Sequence, residues 1–212
     1  MLLSELAREV PDAVLEAGGE FEVGGVTYDS RKVRPGDLFV AVAGLRVDGH
    51  AYAADAAARG AAVALERPVA LPEGTPRLRL GDSRWGLGEL AAALNGRPAR
   101  KLRMVGVTGT DGKTTVTHMA AHVLESVGVR TGYLSTVGIR TVAEAADNTS
   151  GQSTMESPQV QSALASMVAG GMEAAVVETT SHGLLQERES ACDFDVVAVT
   201  NIGRDHLDYH GS

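Results

Sequence analysis

Apolar and polar positions change rhythm several times along the chain, and each change predicts an element. Within residues 23–42, two β-rich runs, Gly-Val-Thr-Tyr-Asp-Ser-Arg and Pro-Gly-Asp-Leu-Phe-Val-Ala-Val, flank a turn and predict two strands. Residues 52–59 are alanine-rich and read as helix, 61–65 as strand, and about 85–94 as a further helix. Asn-Gly-Arg-Pro at 95–98 stops that helix and leads through a short polar connector to Lys101. Beyond it the pattern predicts strand at 102–108, helix from 113 to about 127, strand near Tyr133, helix at about 158–169, and strands at 174–179 and 196–201. This alternation predicts an α/β fold: a small α/β domain over 1–100, then the first part of a parallel-sheet domain over 101–212.

In parallel sheets ligands gather at the carboxyl ends of strands, and the distinctive polar residues follow strands here. Gly109, Thr110, Asp111, Gly112, Lys113, Thr114 and Thr115 come directly after the apolar run of 102–108. The two glycines let the backbone turn so closely that successive amides can face phosphate oxygens, while the next helix presents its positive end. Lys113 adds a mobile charge, and Thr114 offers a hydroxyl where such loops hold Mg²⁺, so the expected ligand is ATP or GTP with its metal. The general P-loop has a glycine five residues before its Gly-Lys pair, where this chain has Val107.

Composition narrows the class. The 212 residues are 44% hydrophobic, enough to build cores, and the 25 glycines are scattered without a repeat. A formal net charge of −8 without a basic cluster argues against nucleic acid as a partner. The opening residues carry an acid in the first turn and no long apolar stretch, so neither signal peptide nor membrane anchor is expected, and the location implied is cytoplasmic. Cys192 is the single cysteine and reads as a buried structural thiol.

Glu178 closes the apolar run Ala-Ala-Val-Val, which would bring its carboxylate out at the sheet edge near the phosphates, where it could hold Mg²⁺ or simply cap the strand. Ser181-His182 lacks the Gly-x-Ser-x-Gly frame of a nucleophile elbow. His118 and His122 stand at i and i+4, but no glutamate follows His118 as a zinc-protease helix requires, so packing or surface roles are expected. The segment 201–211 is different, because two His, two Asp, an Arg and an Asn crowd the end of an apolar strand.

Thr-Gly-Thr-Asp-Gly-Lys-Thr-Thr, then Glu-Thr-Thr-Ser-His-Gly-Leu-Leu-Gln-Glu-Arg, then Thr-Asn-Ile-Gly-Arg-Asp-His-Leu-Asp-Tyr-His-Gly resemble, in that order, the Mur ligases. The likeness is greatest to the branch that adds the third residue of the peptidoglycan stem peptide. Tyr28-Asp29-Ser30-Arg31, the run 36–41 and Asp48-Gly49-His50 resemble the UDP-sugar domain of that branch, so the resemblance spans nearly the whole chain. It implies that Ser30, Leu45, Arg46 and Val47 contact the UDP-sugar, that 109–115 hold ATP, and that Thr114, Glu178 and His206 serve Mg²⁺. Ser153, Thr154, Thr180, Gln186 and Arg188 would line the muramoyl-dipeptide, and Lys113, Glu178 and His206 would be catalytic. An arginine fork suits a carboxylate or pyrophosphate.

The chain departs from the family pattern at Asp111, where Asn is usual, at Ser153-Thr154-Met155, where Thr-Thr-Pro is common, and at Thr179-Thr180-Ser181-His182, where the family has Val-Ser-Ser-His. Lysines occur only at 32, 101 and 113, so the carbamylated lysine of the family has no counterpart after the loop. The resemblance therefore implies a fragment, monomeric and without ligase turnover by itself. The activity implied for the parent is amide-bond formation between UDP-N-acetylmuramoyl-dipeptide and an amino acid, through an acyl phosphate. A folylpolyglutamate-synthase-like ligase or a non-catalytic UDP-sugar or nucleotide-binding module are the alternatives. Product formed from ATP, UDP-N-acetylmuramoyl-dipeptide and any amino acid by the 212-residue chain would refute the expected inactivity.

Overall fold

A computed structural model describes residues 1–44, 47–142, 146–148 and 154–204. The chain forms two compact units, Met1–Gly96 and Arg97–Ser212.

The first unit contains α1 (Leu3–Glu9), β1 (Val14–Ala17), β2 (Gly25–Thr27), β3 (Asp37–Val40), α2 (Ala53–Ala58), β4 (Ala62–Leu65), β5 (Arg77–Arg79) and α3 (Ser83–Leu94). Its sheet runs β1-β5-β4-β3-β2, with β2 to β5 parallel and β1 antiparallel at one edge. Because side chains alternate along a strand, β3 and β4 each feed two cores. Leu38, Val40, Ala62 and Ala64 join Leu3, Leu6, Leu87 and Leu90 of α1 and α3. Phe39, Val63 and Leu65 instead join Ala53 and Ala56 of α2.

The second unit contains β6 (Arg103–Thr108), α4 (Lys113–Ser126), β7 (Thr131–Leu134), β8 (Gly138–Arg140), β9 (Ala146–Asp147), α5 (Ser157–Ala169), β10 (Ala174–Glu178), α6 (Ser181–Leu185) and β11 (Val196–Val199). The sheet order is β11-β6-β10-β7-β8-β9. The first four strands in that order are parallel, as the alternation predicts, whereas β8 and β9 add an antiparallel extension. All five residues of β10 are buried, which explains its unbroken apolar run. Ala175 and Val177 pack with Val160, Leu164 and Met167 of α5, while Val176 packs with Ala121 of α4. This order sets the carboxyl ends of β11, β6 and β10 side by side. Among the described residues no helix is long and apolar enough to cross a membrane.

Candidate active site

The loop after β6 is shaped by two glycines. Gly109 has φ +134, and a Cβ there would fall 2.1 Å from Thr200 Oγ1 and 2.9 Å from the Asn201 carbonyl oxygen. Gly112 has φ +79 and occupies the N-cap of α4 with no side chain capping the helix. The first amides of a 14-residue helix are thus left for an anion.

The end of β11 clamps the loop from the other side. The Thr110 amide donates to the Asn201 carbonyl and the Asp111 amide to Asn201 Oδ1 at 3.0 Å. Thr200 Oγ1 and Asn201 Nδ2 both donate to the Asp111 carbonyl, at 2.6 and 3.1 Å, and the Gly203 amide donates to Thr110 Oγ1 at 2.8 Å. The bonds to Asp111 use its backbone, and the residue itself is exposed. Lys113 Nζ donates to the carbonyls of Gly109 and Thr110, each at 2.8 Å. Thr115 lies exposed in the first turn of α4.

Glu178 stands at the carboxyl end of β10 and is 2% exposed, so its carboxylate is enclosed and does not emerge freely at the sheet edge. Thr114 Oγ1 lies 3.0 Å from each of its oxygens. The Thr136 amide donates to Oε2 at 2.8 Å and the Thr136 hydroxyl to Oε1 at 2.9 Å. Two oxygen ligands on neighbouring vertices of a Mg²⁺ octahedron stand about 3.0 Å apart, so the Thr114–Glu178 pair fits that cation. His206 lies outside the described residues, as do Leu45, Arg46 and Ser153.

The structure brings Thr154, Thr180, Gln186 and Arg188 together beside this site. Thr154 is buried, its Oγ1 accepting from the Thr180 amide at 3.0 Å and lying 3.1 Å from Thr180 Oγ1. Thr180 caps α6 by accepting from the Gly183 amide. Arg188 donates to the Thr154 carbonyl at 2.7 Å and to Gln186 Oε1 at 2.8 Å, and pairs with Glu156 at 3.0 Å. That guanidinium is therefore held by the protein's own acceptors, at 13% side-chain exposure.

Glu189 was not singled out by sequence. Its carboxylate is buried against Gly183, where an added Cβ would meet Oε1 at 2.6 Å. Burial pushes its pKa up to about 7, against the opposing pull of its own backbone amide, Arg188 and the Thr179 hydroxyl. A raised acid pKa means the folded state holds the proton more tightly. Its stabilising contribution is therefore full below about 4.5 and is lost as the pH rises through about 7. Relative to the unsubstituted protein, Glu189→Gln should gain about 3 kcal/mol of stability between pH 4 and pH 8, because the amide does not ionise, read from urea unfolding at both pH values. Cys192 is buried as expected, and burial pushes its thiol pKa up, aided by Glu189 and Asp193.

His118 packs on Tyr133, with ring centroids 4.4 Å apart, and its Nε2 lies 3.0 Å from Ser135 Oγ, whereas His122 is exposed. Among the described residues no group of three or more His, Cys, Asp or Glu side chains could hold a metal ion.

In the first unit an open pocket of about 520 Å³ is lined by Tyr28, Ser30, Val47, Tyr52 and Arg84, among others. Ser30 begins a turn capped by Asp29, whose carboxylate also takes the Arg31 guanidinium at 2.8 and 2.9 Å. Those bonds to Arg31, opposed by partial burial, hold the Asp29 carboxyl below its ordinary range. Asp48 and His50 act differently from the pocket residues. Asp48 Oδ1 accepts from the His50 amide and lies 2.8 Å from His50 Nδ1, while His50 Nε2 accepts from the Glu66 amide at 3.1 Å. Glu66 Oε1 in turn accepts from the Ser83 amide at 2.7 Å, beside Arg84. The imidazole, 3% exposed, thus ties the turn carrying Gly49 to the helix carrying Arg84.

Together the fold and the site define a P-loop-type nucleotide-binding α/β protein with a separate pocket-bearing α/β unit. The chain belongs to the Mur ligase family: the model of the Mur ligase middle domain matches residues 107–212, and that of the Mur ligase family catalytic domain matches 22–80. It is 46% identical over 197 residues to a UDP-N-acetylmuramyl-tripeptide synthetase of Roseiflexus sp., covering 90% of this chain and 38% of that protein. It is 40% identical over 215 residues to a UDP-N-acetylmuramoyl-L-alanyl-D-glutamate–2,6-diaminopimelate ligase of Geobacillus thermodenitrificans, covering 100% and 43%. A solved structure of a ligase of the latter name superposes with a TM-score of 0.79 at 29% identity, over 100% of this chain and 42% of that one. The chain spans about two fifths of the length of the curated relatives it matches.

Proposed function

We propose that this chain forms the UDP-sugar and ATP-binding parts of an ATP-dependent amide ligase that adds the third amino acid to UDP-N-acetylmuramoyl-L-alanyl-D-glutamate. The observation that carries this reading is the loop 109–115, with Lys113 on its own carbonyls and the Thr114–Glu178 pair at the adjoining strand end. The first unit, over roughly 1–100, takes the UDP-sugar through the pocket of Ser30 and Val47, and the second takes ATP. Location in the cytoplasm agrees with these soluble substrates.

The loop amides and the N-terminus of α4 bind and orient the phosphates, and Lys113 moves from the Gly109 and Thr110 carbonyls toward them. Thr114 and Glu178 would hold Mg²⁺, which when bound neutralises charge on the transferring phosphoryl group. In the first step the bond between the γ-phosphorus and its bridging oxygen breaks, ADP leaves, and the D-glutamate side-chain carboxylate gains the phosphoryl group. In the second, the amine of the incoming amino acid attacks the acyl carbon, inorganic phosphate leaves with the bonding pair, and the amine loses its proton. Both steps rely on positioning and electrostatics, and neither requires a protein nucleophile. Thr154, Thr180, Gln186 and Arg188 orient the dipeptide end of the substrate.

With the full-length protein, release of ADP and phosphate should require both UDP-N-acetylmuramoyl-dipeptide and an amino acid, with diaminopimelate and lysine compared. Release that ignores the acceptor would overturn the reading. Titrating the 212-residue chain with UDP-N-acetylmuramoyl-dipeptide and with folate separates it from a folylpolyglutamate-type ligase.

A further inference from the structure

Thr136 lies outside every motif that the sequence singles out, yet it makes the tightest grip on Glu178. Its amide holds Oε2 and its hydroxyl holds Oε1, so the two bonds fix the plane of the carboxylate as well as its position. Among the described residues the other donor to these oxygens is Thr114, which is itself offered to the cation. A carboxylate has about four lone-pair sites, so Thr136 fills two and leaves the side facing Thr114 to accept a hydroxyl or a metal.

The turn that carries Thr136 is itself braced. Ser135 Oγ donates to the Gly138 carbonyl at 2.9 Å and accepts from the Gly138 amide at 3.1 Å, and Asn148 Nδ2 donates to the Ser135 carbonyl at 2.8 Å. His118 Nε2 meets Ser135 Oγ at 3.0 Å. His118 and Thr114 stand one turn apart on one face of α4. Thr114, Glu178, Thr136, Ser135 and His118 therefore close a ring of contacts that starts and ends on the same helix. Such a ring holds the strand-end acid and the loop hydroxyl at a fixed separation, which is what a small, strictly octahedral cation demands.

We infer that Thr136 is a positioning residue that preorganises the Glu178 carboxylate for the divalent cation, with the His118–Ser135 contact anchoring its turn to α4. The inference rests on the reading of Thr114 and Glu178 as the cation pair. Thr136 is exposed, so removing its hydroxyl opens no cavity in the core.

The test uses the 212-residue chain and a non-hydrolysable ATP analogue, titrated with and without Mg²⁺, in the unsubstituted protein, Thr136→Ala and Thr136→Ser. Mn²⁺ in place of Mg²⁺ gives a spectroscopic readout of cation occupancy. Thr136→Ala should cut the Mg²⁺-dependent gain in affinity about tenfold and leave metal-free affinity unchanged, while Thr136→Ser retains most of the gain. A full gain in Thr136→Ala, with the same gain in the unsubstituted protein, would overturn the inference and leave the cation reading standing. An equal fall in metal-free affinity would mark lost structure and overturn it as well. Absence of any Mg²⁺-dependent gain in the unsubstituted protein would overturn the cation reading and this inference together.

Discussion

On the proposed function, Lys113→Ala is expected to reduce turnover of the full-length protein by about a thousandfold, the loss typical of removing a group that stabilises transition-state charge. The ammonium donates to two loop carbonyls, so the same substitution also removes two charge-assisted hydrogen bonds from the loop. That should lower the stability of the second unit by about 2 kcal/mol. Lys113→Met keeps most of the side-chain stem and separates the lost charge from lost packing. If charge is the essential part, the two variants will be equally inactive although Met is the more stable. Turnover near that of the unsubstituted protein in either variant would refute the role of Lys113.

Glu178→Gln should lower turnover by about 10² to 10³, with the fold intact. The carboxamide has nearly the carboxylate's shape, and its oxygen can keep the bond from the Thr136 amide while its NH₂ turns toward a hydroxyl. What disappears is a buried negative charge. Without Mg²⁺ that charge repels a triphosphate, so metal-free ATP should bind Glu178→Gln more tightly than the unsubstituted protein. With Mg²⁺ the order reverses, because the cation has lost a ligand charge. Isothermal titration with and without the metal reads both signs, and equal affinities in the two proteins under both conditions would show that Glu178 does not face the nucleotide.

The parts of this chain legible from sequence are those whose environment is encoded locally. β10 reads as a strand because every side chain is buried, and the loop 109–115 reads as a phosphate site because its glycines, lysine and threonines are contiguous. β1 and β5 are invisible by that logic. Val-Leu-Glu-Ala and Arg-Leu-Arg carry no strong strand pattern, and they pair through Glu16 with Arg77 and Arg79, some sixty residues away. β8 and β9 are too short to establish a period. The clamp on the loop by Thr200 and Asn201 spans about ninety residues, although the polar crowding after β11 marked the region. Thr136 could have been found only by asking which residue follows β7, the other neighbour of β10. Asp48 and His50 carried a resemblance to a sugar-binding element, but their side chains brace its wall, a distinction that only the Glu66 and Ser83 bonds reveal.

The turn held by Asp48 has a consequence for how the molecule responds to pH. Asp48 gathers that turn by accepting from the His50 amide and from the Arg67 guanidinium. Its carboxyl is lowered to about 2 by the His50 amide, the Arg67 guanidinium and the His50 ring, so its contribution, present above the ordinary carboxylate range, is lost as the pH falls through about 2. In the second unit the buried Glu189 does the reverse and weakens the fold as the pH rises through about 7. Acid should thus loosen the Asp48 turn beside the first unit's pocket, while alkali weakens the second unit through Glu189, giving one polypeptide two opposite pH limits.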